Sequence, residues 1–355
     1  MLSYRHGYHA GNYADVLKHA ILLQTLQLMH KKDKPLVYID THAGAGGYAL
    51  SDEFAQKTGE YLEGVAKLWD KTDLPQSLQD YVAAVRHFNE ENPDELNFYP
   101  GSPAIIDMEL GPKDRMVLHE LHSTDYVLLD DYFCEDRQVK VIKGDGLKGL
   151  IAAVPPLERR ALVLVDPSYE MKTDYQDVAE TLIKAHKRFA TGVFMLWYPV
   201  VNRAQTEGML SRLASSGIKR QLRIEQAIKP DSDEFGMTAA GLWIINPPWQ
   251  LDEIATEYGQ HVTAELSIKM SPSEGAAVVE QLRAHPPEMI GGRRVAGVED
   301  FPEANLLRVW LDEVGGRGVR LQIRPSGTEP KVKLYGEAVD MAESELRQLL
   351  EALAP

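Results

Sequence analysis

Short apolar runs alternate along this chain with longer stretches in which apolar residues recur at helical spacing. The runs fall at Leu36–Ile39, Arg115–His119, Gln138–Ile142, Ala161–Val165, Gly192–Trp197, Lys219–Ile228 and Gly241–Ile245, each of a length and setting expected of a β-strand. With helices between most of them, they predict an α/β fold: a mainly parallel, Rossmann-like sheet of seven strands covered on both faces. Only the polar stretch Pro230–Glu234 separates the last two runs, which therefore read as an antiparallel hairpin at the sheet edge. From Ala49 to Tyr99 there is no strand signal. Tyr61, Val65 and Leu68, then Leu78, Tyr81, Val82 and Val85, keep a helical period, so a helical insertion is expected there, either as packing or as a wall of a substrate groove.

At 355 residues the chain exceeds one average domain, and a second, smaller unit is expected. No apolar run approaches the length of a membrane span, and the opening Met1-Leu2-Ser3-Tyr4-Arg5-His6 has no apolar signal core. A soluble, unexported, cytoplasmic protein without membrane partners is expected, and a monomer. Cys134 is the only cysteine, which excludes an internal disulfide and a thiolate metal cluster. The net charge of −15 speaks against a nucleic-acid partner. Its distribution speaks the other way, because Arg5, His6, His9, Lys18, His19, His30, Lys31, Lys32 and Lys34 crowd the first tenth of the chain, interleaved with Tyr4, Tyr8 and Tyr13. Lys31 to Lys34 also fits a solvated helix face; the aromatic interleaving favours a polyanion.

Asp166-Pro167-Ser168-Tyr169 closes the fourth run. A carboxylate and a backbone carbonyl can accept both N–H groups of an exocyclic amine while a planar side chain stacks on the base. Asp166, Pro167 and Tyr169 are therefore the candidate catalytic residues of an amine methylation. Asp40-Thr41-His42-Ala43-Gly44-Ala45-Gly46 follows the first run, and its glycines let backbone approach a ligand closely. Ala49 stands where a pyrophosphate loop would want a third glycine. S-adenosylmethionine, which carries no phosphate, fits the shorter loop. Acidic residues follow the first four strands in turn: Asp40, Glu120, Asp145 and Asp166. Glu120 suits the two hydroxyls of a ribose, and Asp145 an adenine amine. Asn246-Pro247-Pro248-Trp249 is a rival amine-binding turn, expected at the far edge of the sheet, beyond reach of the donor. His119-Glu120-Leu121-His122 has the wrong spacing for a zinc helix, and no metal is expected.

Several blocks, among them residues 2–12, Asp15 to His19, Asp40 to Gly46, Thr58 to Gly64, Tyr99 to Pro103, Asp166 to Tyr175, Leu196 to Val201 and Ile245 to Trp249, resemble in order those of the RlmJ family of 23S ribosomal RNA adenine-N6 methyltransferases, once described as proteins for using external DNA as a nutrient. The resemblance covers about residues 1–265. It implies a cofactor site for S-adenosylmethionine built from His19, His42, Ser102, Glu120, Asp145, Gly146 and Asp166, beside Gly44 of the loop. It also implies catalysis by Asp166, an RNA contact at Tyr4, and His6 and Lys18 facing the substrate, which would be 23S ribosomal RNA. Many amino-methyltransferases carry a second proline where this chain has Ser168; serine leaves the turn less pre-organised, and activity is expected to survive. DNA adenine methylation and a non-catalytic nucleic-acid-binding or DNA-utilisation role are the rival readings.

Residues 271–355 differ in character. Ile323 to Glu337 resembles the C-terminal domain of phosphohexomutases, in which this loop binds a sugar phosphate; the resemblance implies Arg324, Ser326, Gly327, Thr328 and Lys331 as phosphate ligands. The phosphoserine and aspartate-rich magnesium loops of a mutase are absent from the sequence. A phosphate-binding module without isomerase activity, a structural remnant and an artificial junction near Leu266 remain open.

Overall fold

In a computed structural model, which describes residues 5–229, 231, 236–256, 261–301, 306–312, 319–325, 330–339 and 341–354, the chain divides into two compact units, Met1–Ala255 and Thr256–Pro355. The first contains strands β1 (Val37–Asp40), β2 (Gly47–Ala49), β3 (Phe98–Pro100), β4 (Arg115–Glu120), β5 (Val139–Lys143), β6 (Ala161–Val165), β7 (Val193–Val200), β8 (Gln221–Ala227) and β9 (Ala239–Ile245). Seven of them form one sheet in the order β5-β4-β1-β6-β7-β9-β8. β4, β1, β6 and β7 pair in parallel, as do β4 and β5, while β9 runs antiparallel to both β7 and β8. Every residue of β6 and β9 is buried, which is why these runs are continuously apolar rather than alternating: both sheet faces are covered. The helix Asp174–Arg188 lays Val178 and Leu182 on this core, and Arg203–Ala214 adds Met209 and Leu210. Burying each such side chain contributes roughly 1.5–3 kcal/mol.

The helix Tyr13–His30 is buried along most of its length. Asn12 starts it, its side chain accepting from Asp15 N–H, a role asparagine fills well. At its other end the Arg160 guanidinium donates to the carbonyls of Met29, Lys32 and Lys34, satisfying acceptors that the end of a helix leaves open. The insertion is helical, chiefly through Gln76–Phe88, but β2 and β3 pair antiparallel at its base. Three-residue strands carry too little periodicity to be seen in sequence.

The second unit is a six-stranded antiparallel sheet. Its strands are β10 (His261–Lys269), β11 (Met289–Ile290), β12 (Arg293–Phe301), β13 (Leu306–Leu311), β14 (Val319–Pro325) and β15 (Lys331–Val339), in the order β10-β15-β14-β13-β12-β11. Alternation along β13 and β14 turns Leu307, Val309, Leu321 and Ile323 inward, against Val279, Leu346 and Leu350 of the helices Pro272–Ala284 and Glu343–Leu353. β10 pairs with β15 throughout, so the chain enters this sheet ahead of the division expected near residue 265. No helix among the described residues is long and apolar enough to cross a membrane.

Candidate active site

The strand order reverses beside β1: the chain moves out through β4 to β5, then returns to the other side of β1 as β6. Crevices for ligands form at such reversals, beyond the carboxyl ends of the strands. Asp40 ends β1 opposite Leu164 of β6, which brings the glycine loop beside the Asp166 turn. A cavity of about 330 Å3 opens there, lined among others by His42, Gly44, Ser102, Glu120, Asp145, Gly146 and Asp166. A second cavity, of about 300 Å3, is lined by Tyr169, Trp197, Pro199 and Met237. His6, Lys18, Asp166, Ser168 and Glu170 line both.

Two glycines of this crevice are required, one by its backbone angle and one by a close backbone approach. Gly44 has φ +64°, and a Cβ there would come within 2.3 Å of the Tyr48 hydroxyl. A Cβ on Gly146 would lie 1.8 Å from the carbonyl oxygen of Thr41. The Glu120 carboxylate accepts from Gly44 N–H at 2.8 Å and from His122 N–H at 2.6 Å, one on each oxygen, which leaves each a lone pair for a ligand hydroxyl. Asp145 caps the helix Gly146–Ala153 and pairs with Lys148 at 2.9 Å. Burial opposes its ionisation, but the bonds from Lys148 hold it below the ordinary value. An exposed pair of this kind is weak enough for a ligand amine to displace.

Asp40 is fully buried and accepts from the Tyr38 hydroxyl and the Ser102 hydroxyl, both at 2.7 Å, and from His42 N–H at 3.1 Å. Burial nevertheless pushes its carboxyl up to about 6. Burial also lowers His42, to about 4, so its ring is neutral at pH 7. His19 is held well below its ordinary value by burial and by Lys18; its Nδ1 lies 2.8 Å from the Tyr99 hydroxyl, itself 3.0 Å from that of Tyr81. Lys18 is buried too, and its ammonium bridges Asp166 at 2.7 Å and Asp15 at 2.8 Å. For Asp15, burial is outweighed by His6 and Lys18, which hold it well below the ordinary range.

The sequence candidates His6, Lys18, His19, His42, Gly44, Ser102, Glu120, Asp145, Gly146, Asp166 and Pro167 line one cavity, and Tyr169 lines its neighbour. Tyr4 lies outside the described residues. Tyr169, expected on a base, sends its hydroxyl to the carbonyl of Trp197 at 2.8 Å, which pins the ring against β7. The crowded basic patch of residues 5–34 is not one surface: Lys18 and His19 are buried, whereas Lys31 to Lys34 are exposed at the far end of the helix. Asn246 sits at the opposite end of the sheet because β9 is antiparallel, not because it is at an edge. Its amide bonds the carbonyls of Ala190 and Gly192, both at 2.8 Å. Sequence reasoning missed Asp15, which anchors Lys18, and Trp197, whose buried indole N–H has no partner among the described residues. In the second unit Arg324 lies over the Tyr335 ring, 5.7 Å from its centre, and Lys331 opens β15; Ser326, Gly327 and Thr328 lie outside the described residues.

The family described as ribosomal RNA large subunit methyltransferase D, RlmJ, matches residues 33–281, and the C-terminal domain of phosphoglucomutase/phosphomannomutase matches residues 292–354. Ribosomal RNA large subunit methyltransferase J of Escherichia coli (strain K12) is 51% identical over 253 residues, 71% of this chain and 90% of that protein. Its namesake from Haemophilus influenzae is 46% identical over 266 residues, covering 75% and 94%. A crystal structure of a Legionella pneumophila protein superposes with a TM-score of 0.66 at 39% identity, over 70% of this chain and 91% of that one. A probable phosphomannomutase of Haemophilus influenzae is 40% identical over 91 residues, 24% of this chain but only 18% of that protein.

Proposed function

This chain belongs to the RlmJ family of ribosomal RNA large subunit methyltransferases, and from that premise we propose that it transfers a methyl group from S-adenosylmethionine to N6 of an adenine in 23S ribosomal RNA, working in the cytoplasm. The observation that carries the reading is the pair of cavities that share Asp166 and Lys18. One has the lining expected around a methyl donor, the other a small aromatic-walled space beside the same carboxylate.

The donor's character fits the first cavity. Its lining carries the carboxylates Glu120, Asp125, Asp145, Asp166, Glu170, Asp174 and Asp177, which favour a cationic sulfonium and amine and repel a pyrophosphate. Glu120 would hold the ribose hydroxyls, Asp145 the adenine amine, and the Gly44 and Gly146 backbones leave room for close approach. His19, His42 and Ser102 complete the wall. When bound, S-adenosylmethionine supplies an electrophilic methyl group.

Adenine N6 is a poor nucleophile because its lone pair is delocalised into the ring. Hydrogen bonds from the amine to the Asp166 carboxylate and the Pro167 carbonyl favour a pyramidal nitrogen, aim its lone pair and stabilise the positive charge it acquires, and the methylated nitrogen, now acidic, then loses a proton to give the neutral product. Lys18 fixes the Asp166 carboxylate through its ion pair, and Tyr169, Trp197 and His6 bound the space for the base, with Tyr4 a further RNA contact. A paired adenine must leave its stack first. The test is transfer of labelled methyl to large-subunit RNA lacking its modifications, with mapping of the product nucleoside. Asp166→Ala is expected to lower transfer by at least a thousandfold and Asn246→Ala to leave it within a few fold; the reverse pattern overturns the assignment.

A further inference from the structure

Two sequence features have no part in this chemistry: the basic run Lys31 to Lys34 and the turn Asn246 to Trp249. The fold brings them together. Lys31, Lys32 and Lys34 precede β1, Lys219 and Arg220 lead into β8, and the turn follows β9, so all lie at the end of the sheet opposite the cavities. Direct contacts join them: Lys31 Nζ donates to the Gln250 side-chain oxygen at 3.0 Å, and the Arg220 guanidinium donates to the Pro247 carbonyl at 2.7 Å. The Arg160 guanidinium fixes the segment from Met29 to Lys34. Asn246 is held on the start of β7.

This end gathers five exposed basic side chains and an exposed aromatic one. Lys31, Lys32, Lys34, Lys219 and Arg220 are exposed, and Trp249 is 80% exposed in spite of its size. Asp33 within the run, and Asp252 and Glu253 just after the turn, are exposed acidic residues beside these five cations. Neighbouring strands are about 4.8 Å apart, so the charges from β1 across β6, β7 and β9 to β8 span roughly 20 Å, the reach of several successive phosphates.

Resting on the methyltransferase reading, we propose that this face is a second RNA-binding surface: its lysines and Arg220 neutralise backbone phosphates of the large-subunit RNA while the Trp249 ring stacks on an unpaired base. The charge balance of the molecule argues for it. A chain of net charge −15 whose donor cavity is rimmed with carboxylates repels phosphate where the chemistry occurs, and Lys18 is already committed to Asp15 and Asp166. Cations placed away from the cavity supply attraction without disturbing the sulfonium site. Basic side chains beside an aromatic platform are the usual equipment for unpaired RNA.

The test compares two substrates, an unmodified 23S transcript and a single strand of about three nucleotides with a central adenine, whose arms are shorter than the roughly 17 Å length of the five-residue strand β6 that separates the cavity from the opposite end. For the Lys32→Gln, Lys34→Gln, Lys219→Gln triple variant, KM on the transcript is expected to rise about tenfold. The slope of log KM against log salt should fall by about 2, near the 0.7–0.9 per phosphate contact of simple counterion release. Trp249→Ala should raise KM severalfold with the salt slope unchanged. In both, kcat on either substrate and KM on the short strand stay at wild-type values. Wild-type KM and slope on the transcript would overturn the proposal, and so would an equal loss on the short strand, which would mean damage to the site itself. Wild-type protein that methylates neither RNA would instead overturn the methyltransferase reading.

Discussion

Asp40 is a carboxylate working against its surroundings. Three donors converge on it, yet burial holds its carboxyl at about 6 against an ordinary 3.8. Because the folded protein favours the protonated form, the stability this group contributes is fully present below about pH 3.8 and is lost as pH rises through about 6. The difference amounts to about 3 kcal/mol. Asp40→Asn removes the charge and keeps an acceptor for Tyr38 and Ser102. Its melting temperature relative to wild type, measured without cofactor, is therefore expected to climb between pH 4 and pH 7 and level off above; a difference that does not change with pH would show that Asp40 titrates normally. Asp15 carries the opposite balance, since its partners His6 and Lys18 outweigh burial and favour the charge. One buried carboxylate thus organises cations near Asp166, while the other takes neutral donors beneath the glycine loop.

At the scale of elements, the helix Gly146–Ala153 touches the β1 turn so closely that Gly146→Ala would drive its Cβ into the Thr41 backbone. Overpacking of this kind costs about 1–3 kcal/mol. Since the same residue lines the donor cavity, the variant is expected to lose both melting temperature and affinity for S-adenosylmethionine by calorimetry; full affinity at wild-type stability would mean that the turn yields freely. The parallel strands of this frame were legible because a strand buried on both faces must be apolar throughout, as β6 is. So was the meeting of Gly44 with Asp166, which follows from β1 and β6 being neighbours. The antiparallel pairing of β8 with β9 at the sheet edge was legible from the short polar link between the two runs; their order was not, because β9 and not β8 lies beside β7, so Asn246 was expected at the far edge when it lies at the opposite end of the sheet. Lys18 was legible as a cation but not as a buried one, because its partners Asp15 and Asp166 are respectively three and 148 residues away and only the packed helix joins them.

At the scale of the whole molecule, two separate cores imply two separable chemistries. The core around Leu321, Ile323 and Leu334 belongs wholly to the second unit, and the mutase relatives share less than a fifth of their own length with this chain. The match is to the C-terminal domain of those proteins alone, so sugar-phosphate binding is the property of this unit to test. Among the described residues of the resembling segment the cations are Arg324, Lys331 and Lys333, and Arg324 lies over the Tyr335 ring beside β15. Titration of the intact protein with glucose phosphate, followed by calorimetry, is expected to give weak binding that Arg324→Ala abolishes, with no isomerisation in either protein. Methyl transfer to the 23S transcript should be unchanged in the variant, since Arg324 lines neither of the two cavities that share Asp166. Binding that survives Arg324→Ala would remove the sugar-phosphate reading. A parallel loss of methyl transfer would mean that the second unit acts on the first, and that the two cores do not serve independent ends.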